Sequence, residues 1–499
     1  MIPVISVDFM ELNFQTLAPM IVALLGALVI ICIDLANKHL DKSLYIMLTV
    51  VFLSIDLVLV YGFSGAVRGF FDIMLVDGIS ILAQLTLLIL SIAFVLLAFG
   101  KQKLQEYRYP EYFALYLFAV AGFQFMVSSD SLIMIFVGLE TASIAIYTMV
   151  AMHNRMKTIE AAIKYFTMGA LATAFFTFGA MIFYAVTGTV ELGKVSEILV
   201  TSDFNNYALI LMGITFMLGA LGFKLSLVPF HSWVPDVYEG STAAFAGFLA
   251  IVPKIAAFVV VLRIFEIFVS AEDIYVQTAL YIIAVVTMTM GNLMALSQTD
   301  IKRMLAFSSI SHAGFVLCAI LIGTTQATTG IFLYWILFAI ANLGAFGILW
   351  INRNKNASVN GQSPNSIHAY AGLVKKSPLL AAIMAMFMLS LAGVPPFSVF
   401  WGKLYLIGAA VNADHLSFNM YLALIMALNS AIAVYYYVKP VVFMFFKEGT
   451  EVKDEVILSN STTMLQTLLG VFAILSIASI FLVEPLIEFI SYYVQISGY

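Results

Sequence analysis

The chain has 499 residues, of which 63% are hydrophobic and only 10% are charged. This balance excludes a water-soluble domain, and a net charge of −5 excludes a basic surface that would bind nucleic acid. The two cysteines, Cys32 and Cys318, lie far apart, whereas iron–sulfur clusters are usually held by four cysteines. We therefore predict an integral membrane protein that carries no metal ion and no cofactor of its own.

Fourteen apolar segments follow one another along the chain, each long enough to cross the ~30 Å hydrocarbon core of a bilayer as a helix. We number them spans 1 to 14: 15–35, 43–63, 75–99, 111–127, 131–151, 158–187, 206–228, 242–269, 275–297, 301–323, 327–351, 378–410, 417–446 and 462–494. The polar stretches between them are too short for a soluble catalytic domain. We therefore predict an all-α polytopic membrane protein with about 14 transmembrane helices.

Lysine and arginine residues are divided unevenly between the two sets of connections. The connections after even-numbered spans hold only Arg68 and Lys194. The opposite side holds sixteen: Lys38, Lys42, Lys101, Lys103, Arg108, Arg155, Lys157, Lys302, Arg303, Arg353, Lys355, Lys375, Lys376, Lys439, Lys447 and Lys453. Basic residues are enriched in cytoplasmic loops. We therefore predict that both termini lie on the outer, periplasmic side of a bacterial inner membrane.

Two spans are interrupted by proline in corresponding ways. Span 7 contains Lys224 and is followed directly by Pro229, and span 12 contains Pro395 and Pro396 followed by Lys403. Paired broken helices, one in each half, indicate an inverted-repeat transporter whose path lies between the repeats. We predict repeats formed by spans 4–8 and 9–13. The expected units are spans 1–3 (1–110), the first repeat (111–270), the second repeat (271–446) and span 14 (447–499).

Five of the charged residues inside the predicted spans are candidates for a functional role: Glu140, Lys164, Lys224, Lys254 and Lys403. An ionised side chain at the centre of a bilayer costs ~3 kcal/mol on insertion scales, so such residues usually face protein, water or one another. Counting ~1.5 Å per residue along a helix places Glu140 and Lys254 near the middle of the membrane. The simplest hypothesis is a route for protons.

Glu140 and Lys224 are candidates for a switching pair, because a carboxylate that approaches a lysine changes its affinity for a proton. The alternative is a static ion pair between spans 5 and 7. Lys254 and Lys403 have no acid close by on their own spans, which favours proton carriage. A structural role for these two lysines would require a distant acid or backbone carbonyls. Lys164 follows Glu160 by four residues, so a local ion pair and a part in the route are equally supported.

Two histidines lie next to this set of charges. His231, beside the proline of span 7, is a candidate link between the cytoplasm and Lys224. His312, near the middle of span 10, is a candidate bridge between Lys254 and Lys403, because imidazole relays protons near neutral pH. A packing role is equally supported for each histidine. We expect Asp236 and Glu239, in PDVYEG, to be loop or helix-cap residues.

Four motifs resemble one known family. FKLSLVPFHSWVPDVYEGS, GNLMALSQTDIKRMLAFSSISHAGF, EAAIKYFTMGA and LAGVPPFSVFWGK are similar to the antiporter-like membrane subunits of the proton-pumping NADH–quinone oxidoreductase, respiratory complex I. Within that family they resemble subunit N, and the likeness extends over about residues 110–410. The resemblance implies an antiporter-like fold with two inverted five-helix repeats. It also matches the charged residues of the family to Glu140, Lys164, Lys224, Lys254 and Lys403.

The resemblance further implies a subunit that moves protons but has no redox centre. FMN and iron–sulfur clusters would lie in partner subunits, and quinone would be the substrate of the whole complex. The implied partners are the paralogous subunits M and L, small membrane subunits and the lipid bilayer. Two other functions are compatible with the sequence: a sodium/proton antiporter subunit of the Mrp type, and a passive assembly scaffold whose charges only fix helix packing.

Overall fold

The computed structural model describes residues 12–38, 40–97, 109–152, 156–202, 204–351, 363, 365–448 and 462–498. The helices are α1 (Ala18–Ala36), α2 (Lys42–Tyr61), α3 (Gly78–Leu97), α4 (Pro110–Val127), α5 (Leu132–Ala151), α6 (Met156–Thr187), α7 (Leu192–Thr201), α8 (Tyr207–Leu225), α9 (Trp233–Gly240), α10 (Ala243–Leu249), α11 (Val252–Ser270), α12 (Ile274–Leu296), α13 (Ile301–Ile322), α14 (Thr325–Ile351), α15 (Leu373–Lys376), α16 (Pro378–Ala392), α17 (Ser398–Val411), α18 (Asn419–Phe446) and α19 (Thr463–Ile496). Short 3-10 helices cover Phe14–Leu17 and Ile367–Tyr370.

The described residues contain thirteen helical stretches that are long and apolar enough to cross a membrane. They match thirteen of the fourteen predicted spans, and α10 and α11 together make the eighth. The remaining span, 378–410, forms α16 and α17, which have 15 and 14 residues and are each too short to cross alone. The predicted all-α membrane fold is confirmed. One small departure is a hairpin between α2 and α3, where β1 (Val67–Gly69) pairs antiparallel with β2 (Met74–Val76) and Val67 lies opposite Val76.

The centre of the bundle is formed by α13, which is buried on all sides, together with α10, α11 and α14. A helix that is apolar all round needs such a position, because no face of it is suited to water. The outer helices, including α2, α6, α12, α18 and α19, expose large apolar side chains such as Val58, Phe166, Ile282, Tyr435 and Phe481. These faces are suited to lipid or to neighbouring membrane subunits.

Three of the spans are interrupted, and each interruption lies close to a lysine. The α8 helix ends with Ser226 in the left-handed region (φ 65°), and α16 ends with Gly393 in the same region (φ 84°). Each of these residues is followed three positions later by a proline, Pro229 or Pro396. The third interruption, between α10 and α11, lies at Ile251, three residues before Lys254. The broken spans 7 and 12 are therefore confirmed, whereas the break in span 8 was not predicted.

The connections gather at two ends of the bundle. At one end Arg68 contacts Asp130, and the Ser497 hydroxyl accepts a hydrogen bond from the backbone of α3. We call this the Asp130 end. At the opposite end, which we call the Asp236 end, Asp236 contacts Lys164 and Arg303. The sequence predicts that the Asp130 end faces outward, and this orientation stays a prediction. Seven of the basic residues on which this predicted orientation depends lie outside the described residues: Lys101, Lys103, Arg108, Arg155, Arg353, Lys355 and Lys453.

Candidate functional site

Glu140 and Lys224 lie near each other but do not form an ion pair within the described part of the chain. The Lys224 ammonium donates to Ser143 Oγ at 2.6 Å and to Tyr147 Oη at 3.3 Å, and it lies 5.5 Å from the centre of the Tyr147 ring. The Glu140 carboxylate instead accepts a hydrogen bond from Thr173 of α6. Because Ser143 is one helical turn from Glu140, Lys224 rests about one turn away from the acid.

Lys254 is buried in the centre of the bundle, with 1% of its surface exposed. Its ammonium donates to the Ser309 carbonyl oxygen at 2.6 Å and to Ser309 Oγ at 3.3 Å. Ser309 lies on α13, and Lys254 is the third residue of α11, in the first turn after the break at Ile251. No carboxylate lies within ion-pair distance of Lys254 among the described residues. The lysine is therefore held by neutral groups only.

Lys403 has the same kind of environment in the second half of the chain. It is 6% exposed, and its ammonium donates to the backbone carbonyl oxygens of Ala392 at 3.0 Å and Leu391 at 3.4 Å. These carbonyls belong to the last turn of α16, where helical hydrogen bonding stops at Gly393. A helix C-terminus carries partial negative charge, which favours a nearby cation. The end of the broken helix therefore forms the binding site of the Lys403 ammonium. Among the described residues, no carboxylate pairs with Lys403.

His312 bridges two tyrosines rather than two lysines. Its Nδ1 is hydrogen-bonded to the hydroxyl of Tyr334, and its Nε2 lies 2.9 Å from the hydroxyl of Tyr437. The histidine is buried and follows Ser309, the partner of Lys254, by one turn of α13. Tyr334 packs against Gly402, the residue before Lys403. His312 therefore lies between the two lysine sites, with a tyrosine on each side of its ring.

The polar groups continue beyond Tyr437. Its neighbour Tyr436 donates to Asn292 Oδ1 at 2.9 Å, and the Asn292 amide donates to the side chain of Asn429 at 3.0 Å. All three of these side chains are buried between α12 and α18. The centre of the second half is thus lined by polar groups, which a purely structural apolar core would not contain.

Lys164 belongs to a cluster of surface charges at the Asp236 end. Its ammonium contacts Glu160 at 2.7 Å and Asp236 at 3.0 Å, and the side chain is 46% exposed. Arg303 contacts both Asp236 and Glu239, the latter at 2.7 Å. The interpretation of Asp236 and Glu239 as loop or cap residues is wrong. Both lie within α9, where Pro235 stands in the first turn and did not prevent the helix, so their carboxylates reach α6 and α13.

His231 lies in the turn between α8 and α9, outside the membrane-spanning helices. It is partly buried, and burial lowers the pKa of its imidazole. The structure gives it no direct contact with Lys224. Its part in a path to that lysine therefore stays a prediction.

One buried acid was missed by the sequence reasoning. Asp56, in SIDLV of α2, is fully buried and accepts hydrogen bonds from the Gln124 amide. The sequence does contain a signal, because Asp56 is an acid within span 2. It was not among the charged residues selected from the sequence, which were chosen for the lysines and for the two spans broken by proline. A second missed feature is the buried ion pair between Arg263 and Asp77, with Nη2 and Oδ1 2.7 Å apart.

Residues 129–433 match the family described as NADH:quinone oxidoreductase/Mrp antiporter, TM. The chain is 52% identical to NADH-quinone oxidoreductase subunit N of Sulfurimonas denitrificans over 506 aligned residues that cover 100% of both chains. It is 51% identical to the subunit of the same name of a Sulfurovum species, again over 100% of both chains.

Two solved structures share its fold. A chain of respiratory complex I from Thermus thermophilus superposes with a TM-score of 0.77 at 28% identity, over 95% of this chain and 98% of that one. A chain of the Mrp complex from Dietzia superposes with a TM-score of 0.81 at 18% identity, over 97% of each chain. The second likeness is one of fold alone.

Proposed function

Because this chain belongs to the subunit N family of NADH-quinone oxidoreductase and so to the membrane arm of complex I, we propose that it carries protons along a buried line of side chains. The line contains Glu140, Lys224, Lys254, His312 and Lys403. We assign Lys164 and His231 to the part of this line that lies toward the Asp236 end of the bundle. Electron transfer takes place in partner subunits, where FMN, iron–sulfur clusters and the quinone would bind.

The observation that carries this proposal is the environment of Lys254 and Lys403. Each is buried, and each donates only to neutral oxygens in the described chain. A buried charge without an opposite charge costs several kcal/mol, and lysine is the residue whose protonation is most readily changed by burial. After the lysine releases its proton, the neutral amine can still donate an N–H to these oxygens. These sites therefore suit a lysine that alternates between two protonation states, whereas a structural lysine would usually be matched by a carboxylate.

The hydrogen bonds of His312 support the transfer of protons between Lys254 and Lys403. A neutral imidazole can donate from one nitrogen and accept at the other, so a hydroxyl on each side gives it two partners in a line. When one imidazole nitrogen takes up a proton from the hydroxyl beside it, the other nitrogen can release its own proton to the hydroxyl on the opposite side of the ring. Tyr334 and Tyr437 thus extend the reach of His312 toward Lys403 and toward Asn292.

Lys224 and Glu140 support a switch at the other end of the line. In its present position Lys224 is held by Ser143 and Tyr147. Movement of its flexible side chain by about one helical turn would bring it to the carboxylate. An approaching carboxylate stabilises the charged lysine, and its departure favours release of the proton. Moving one charge against 100 mV costs about 2.3 kcal/mol, which is within the range of one such rearrangement.

The proposal is tested in the assembled complex with Lys254→Met and Lys403→Met, which keep most of the length of the unbranched side chain but remove the charge. Lys194→Met is the matched control, because Lys194 is an exposed lysine paired with Glu191 at the Asp130 end. NADH oxidation and proton uptake are measured on the same inverted membrane vesicles. We expect both Met variants to lose proton uptake while the control retains it. Normal uptake in both would refute the proposal.

The two other functions give different results in the same experiment. A passive scaffold predicts that the Met variants lower the amount of assembled complex but leave uptake per assembled complex unchanged. A stand-alone antiporter of the Mrp type predicts sodium-dependent proton flux by the isolated chain in liposomes. The likeness to the Mrp chain concerns fold alone, whereas the relatives with high identity over the full length are complex I subunits.

A further inference from the structure

Asp56 lies apart from the lysine line, on α2. It is five residues from Tyr61, where α2 ends, which places it roughly 7.5 Å inside the Asp130 end of that helix. The side chain is fully buried. Its two carboxylate oxygens accept hydrogen bonds from Gln124 Nε2 at 3.1 and 3.0 Å, and no basic side chain pairs with it among the described residues.

A continuous series of hydrogen bonds leads from Asp56 toward the Asp130 end. The Gln124 amide donates to Gln84 Oε1 at 3.3 Å, and the Gln84 amide donates to Ser128 Oγ at 2.8 Å. The hydroxyls of Ser128 and Ser80 are 2.6 Å apart. All four of these side chains are fully buried. We call this series the Asp56 line.

The Asp56 line ends at a cavity. The backbone N–H of Ser80 donates to Asp77 Oδ1 at 2.8 Å, and Asp77 forms the buried ion pair with Arg263. Asp77 and Arg263 both line a cavity of about 590 Å³, together with Asp130, Arg68 and Glu266. The cavity opens at the Asp130 end of the bundle and is rich in charged groups, so it is suited to water.

Among the residues that the structure describes, no titratable side chain forms a hydrogen bond or ion pair with Asp56. The helices that pack most extensively against α2 are α1, α3 and α4. The α19 helix also lies beside the Asp130 end of α2, and its titratable residues are Glu484, Glu488, Tyr492 and Tyr493. The α3 helix has no titratable side chain, so its nearest is Asp77 at the far end of the line. The titratable residues on the other elements are Cys32 and Asp34 of α1, Glu111, Tyr112 and Tyr116 of α4, and Lys42, Tyr45 and Tyr61 of α2 itself. The hydrogen bonds and ion pairs of Asp56 involve none of them, and Gln124 is its hydrogen-bond partner.

We propose that Asp56 is a proton-binding site that exchanges with the cavity at the Asp130 end through the Asp56 line, separately from the lysine line. Burying a carboxylate without a cation costs several kcal/mol, and such a group usually becomes neutral. A proton is the simplest cation to neutralise it, because the described residues place no cluster of histidine, cysteine or acidic side chains around Asp56 that could hold a metal ion.

Gln124 is suited to both states of the acid. The carboxylate accepts from the amide nitrogen, as observed. The Gln124 carbonyl oxygen is buried and has no hydrogen-bond donor among the described residues. When Asp56 binds a proton, a half-turn of the Gln124 amide group lets its carbonyl oxygen accept a hydrogen bond from the new O–H group of Asp56. In the net step one O–H bond of a hydronium ion in the cavity water breaks and one O–H bond on the carboxylate forms, while each group of the Asp56 line that relays the proton gains one N–H or O–H bond and loses another.

The inference does not rest on the proposed function, because the bound proton is detected by the vibration of the acid and not by pumping. Infrared difference spectra are recorded between two pH values on the purified complex with wild-type chain, Asp56→Asn or Asp41→Asn. Asp41 is an exposed acid before the first residue of α2 and serves as the matched control. We expect a carbonyl band of a protonated acid that grows as the pH falls, is lost in Asp56→Asn and persists in Asp41→Asn.

The absence of any pH-dependent band that Asp56→Asn removes would overturn the proposal. Should Asp56→Asn fail to assemble, Gln124→Leu decides the question, because loss of the amide partner must shift the frequency of the same band. An unshifted spectrum would count against the site. The route is tested by transfer into D₂O: Ser128→Ala should slow deuterium exchange of the band, and exchange at the wild-type rate would overturn the route.

Discussion

Gly393 ends α16 beside the ammonium group of Lys403, so a single added methyl group tests whether the position of that lysine matters. A Cβ at residue 393 would lie 2.8 Å from Lys403 Cδ and 3.1 Å from its Nζ. Contacts this short require the lysine to move, and the move takes the ammonium away from the carbonyls of Leu391 and Ala392. The backbone of Gly393 also has φ 84°, which costs about 1–2 kcal/mol for alanine.

Hydrogen bonds to a charged group contribute about 1.5–3 kcal/mol. Adding the backbone strain gives a total of roughly 2.5–5 kcal/mol against the native arrangement of α16 and Lys403. Since about 1.4 kcal/mol is a tenfold change in an equilibrium, the native position of Lys403 should become a minor state. We expect Gly393→Ala to lower proton uptake at least about tenfold, measured with NADH oxidation on inverted vesicles.

Gly408→Ala is the matched control, because Gly408 lies on the same helix as Lys403 and an added Cβ has open space, with only Gln326 Nε2 at 4.0 Å. An alanine within a helix is favoured over glycine by about 0.5–1 kcal/mol. This variant should therefore assemble and pump like wild type. Full proton uptake by Gly393→Ala, with an unchanged unfolding temperature, would refute the assignment of Lys403 to this carbonyl site.

The remaining predictions concern stability. Asp77→Asn removes the carboxylate of the buried ion pair with Arg263 and should cost about 3–5 kcal/mol, seen as a lower unfolding temperature of the complex. Glu191→Gln, at an exposed pair, should cost no more than about 1 kcal/mol, and an equal loss in both variants would contradict this account. Burial lowers the pKa of His231 below its ordinary 6.5. Its contribution to stability is therefore complete above pH 6.5 and is lost as the pH falls below that value. His231→Gln should reduce the acid sensitivity of unfolding, and an identical pH profile would contradict the burial of the ring.

The membrane helices were predictable from the sequence because a span needs only about 20 apolar residues, which leaves a simple signal. The broken spans at Pro229 and Pro396 were predictable for the same kind of reason, since proline removes a helical hydrogen bond. The break before Lys254 was not predicted. Pro253 lies in the first turn of α11, and proline is common in the first turn of an ordinary helix, so it does not by itself indicate a broken span.

The partners of the charged residues were much harder to predict, because they come from helices distant in the chain. Lys254 binds the backbone of Ser309, and a carbonyl acceptor leaves no trace in the residue type. His312 was expected to bridge two lysines, but the hydroxyls of Tyr334 and Tyr437 occupy both nitrogens. Tyrosines are common in such a chain, so that pairing could only be seen once α14 and α18 were placed beside α13.

The central claim is that buried lysines held by neutral oxygens carry the protons. The most direct measurement is the number of protons taken up per NADH oxidised by vesicles that contain the Lys254→Met complex. The account predicts that Lys254→Met abolishes proton uptake, with NADH oxidation either falling in step or continuing without it. A complex that oxidises NADH and takes up protons in the wild-type ratio and at the wild-type rate would contradict the account.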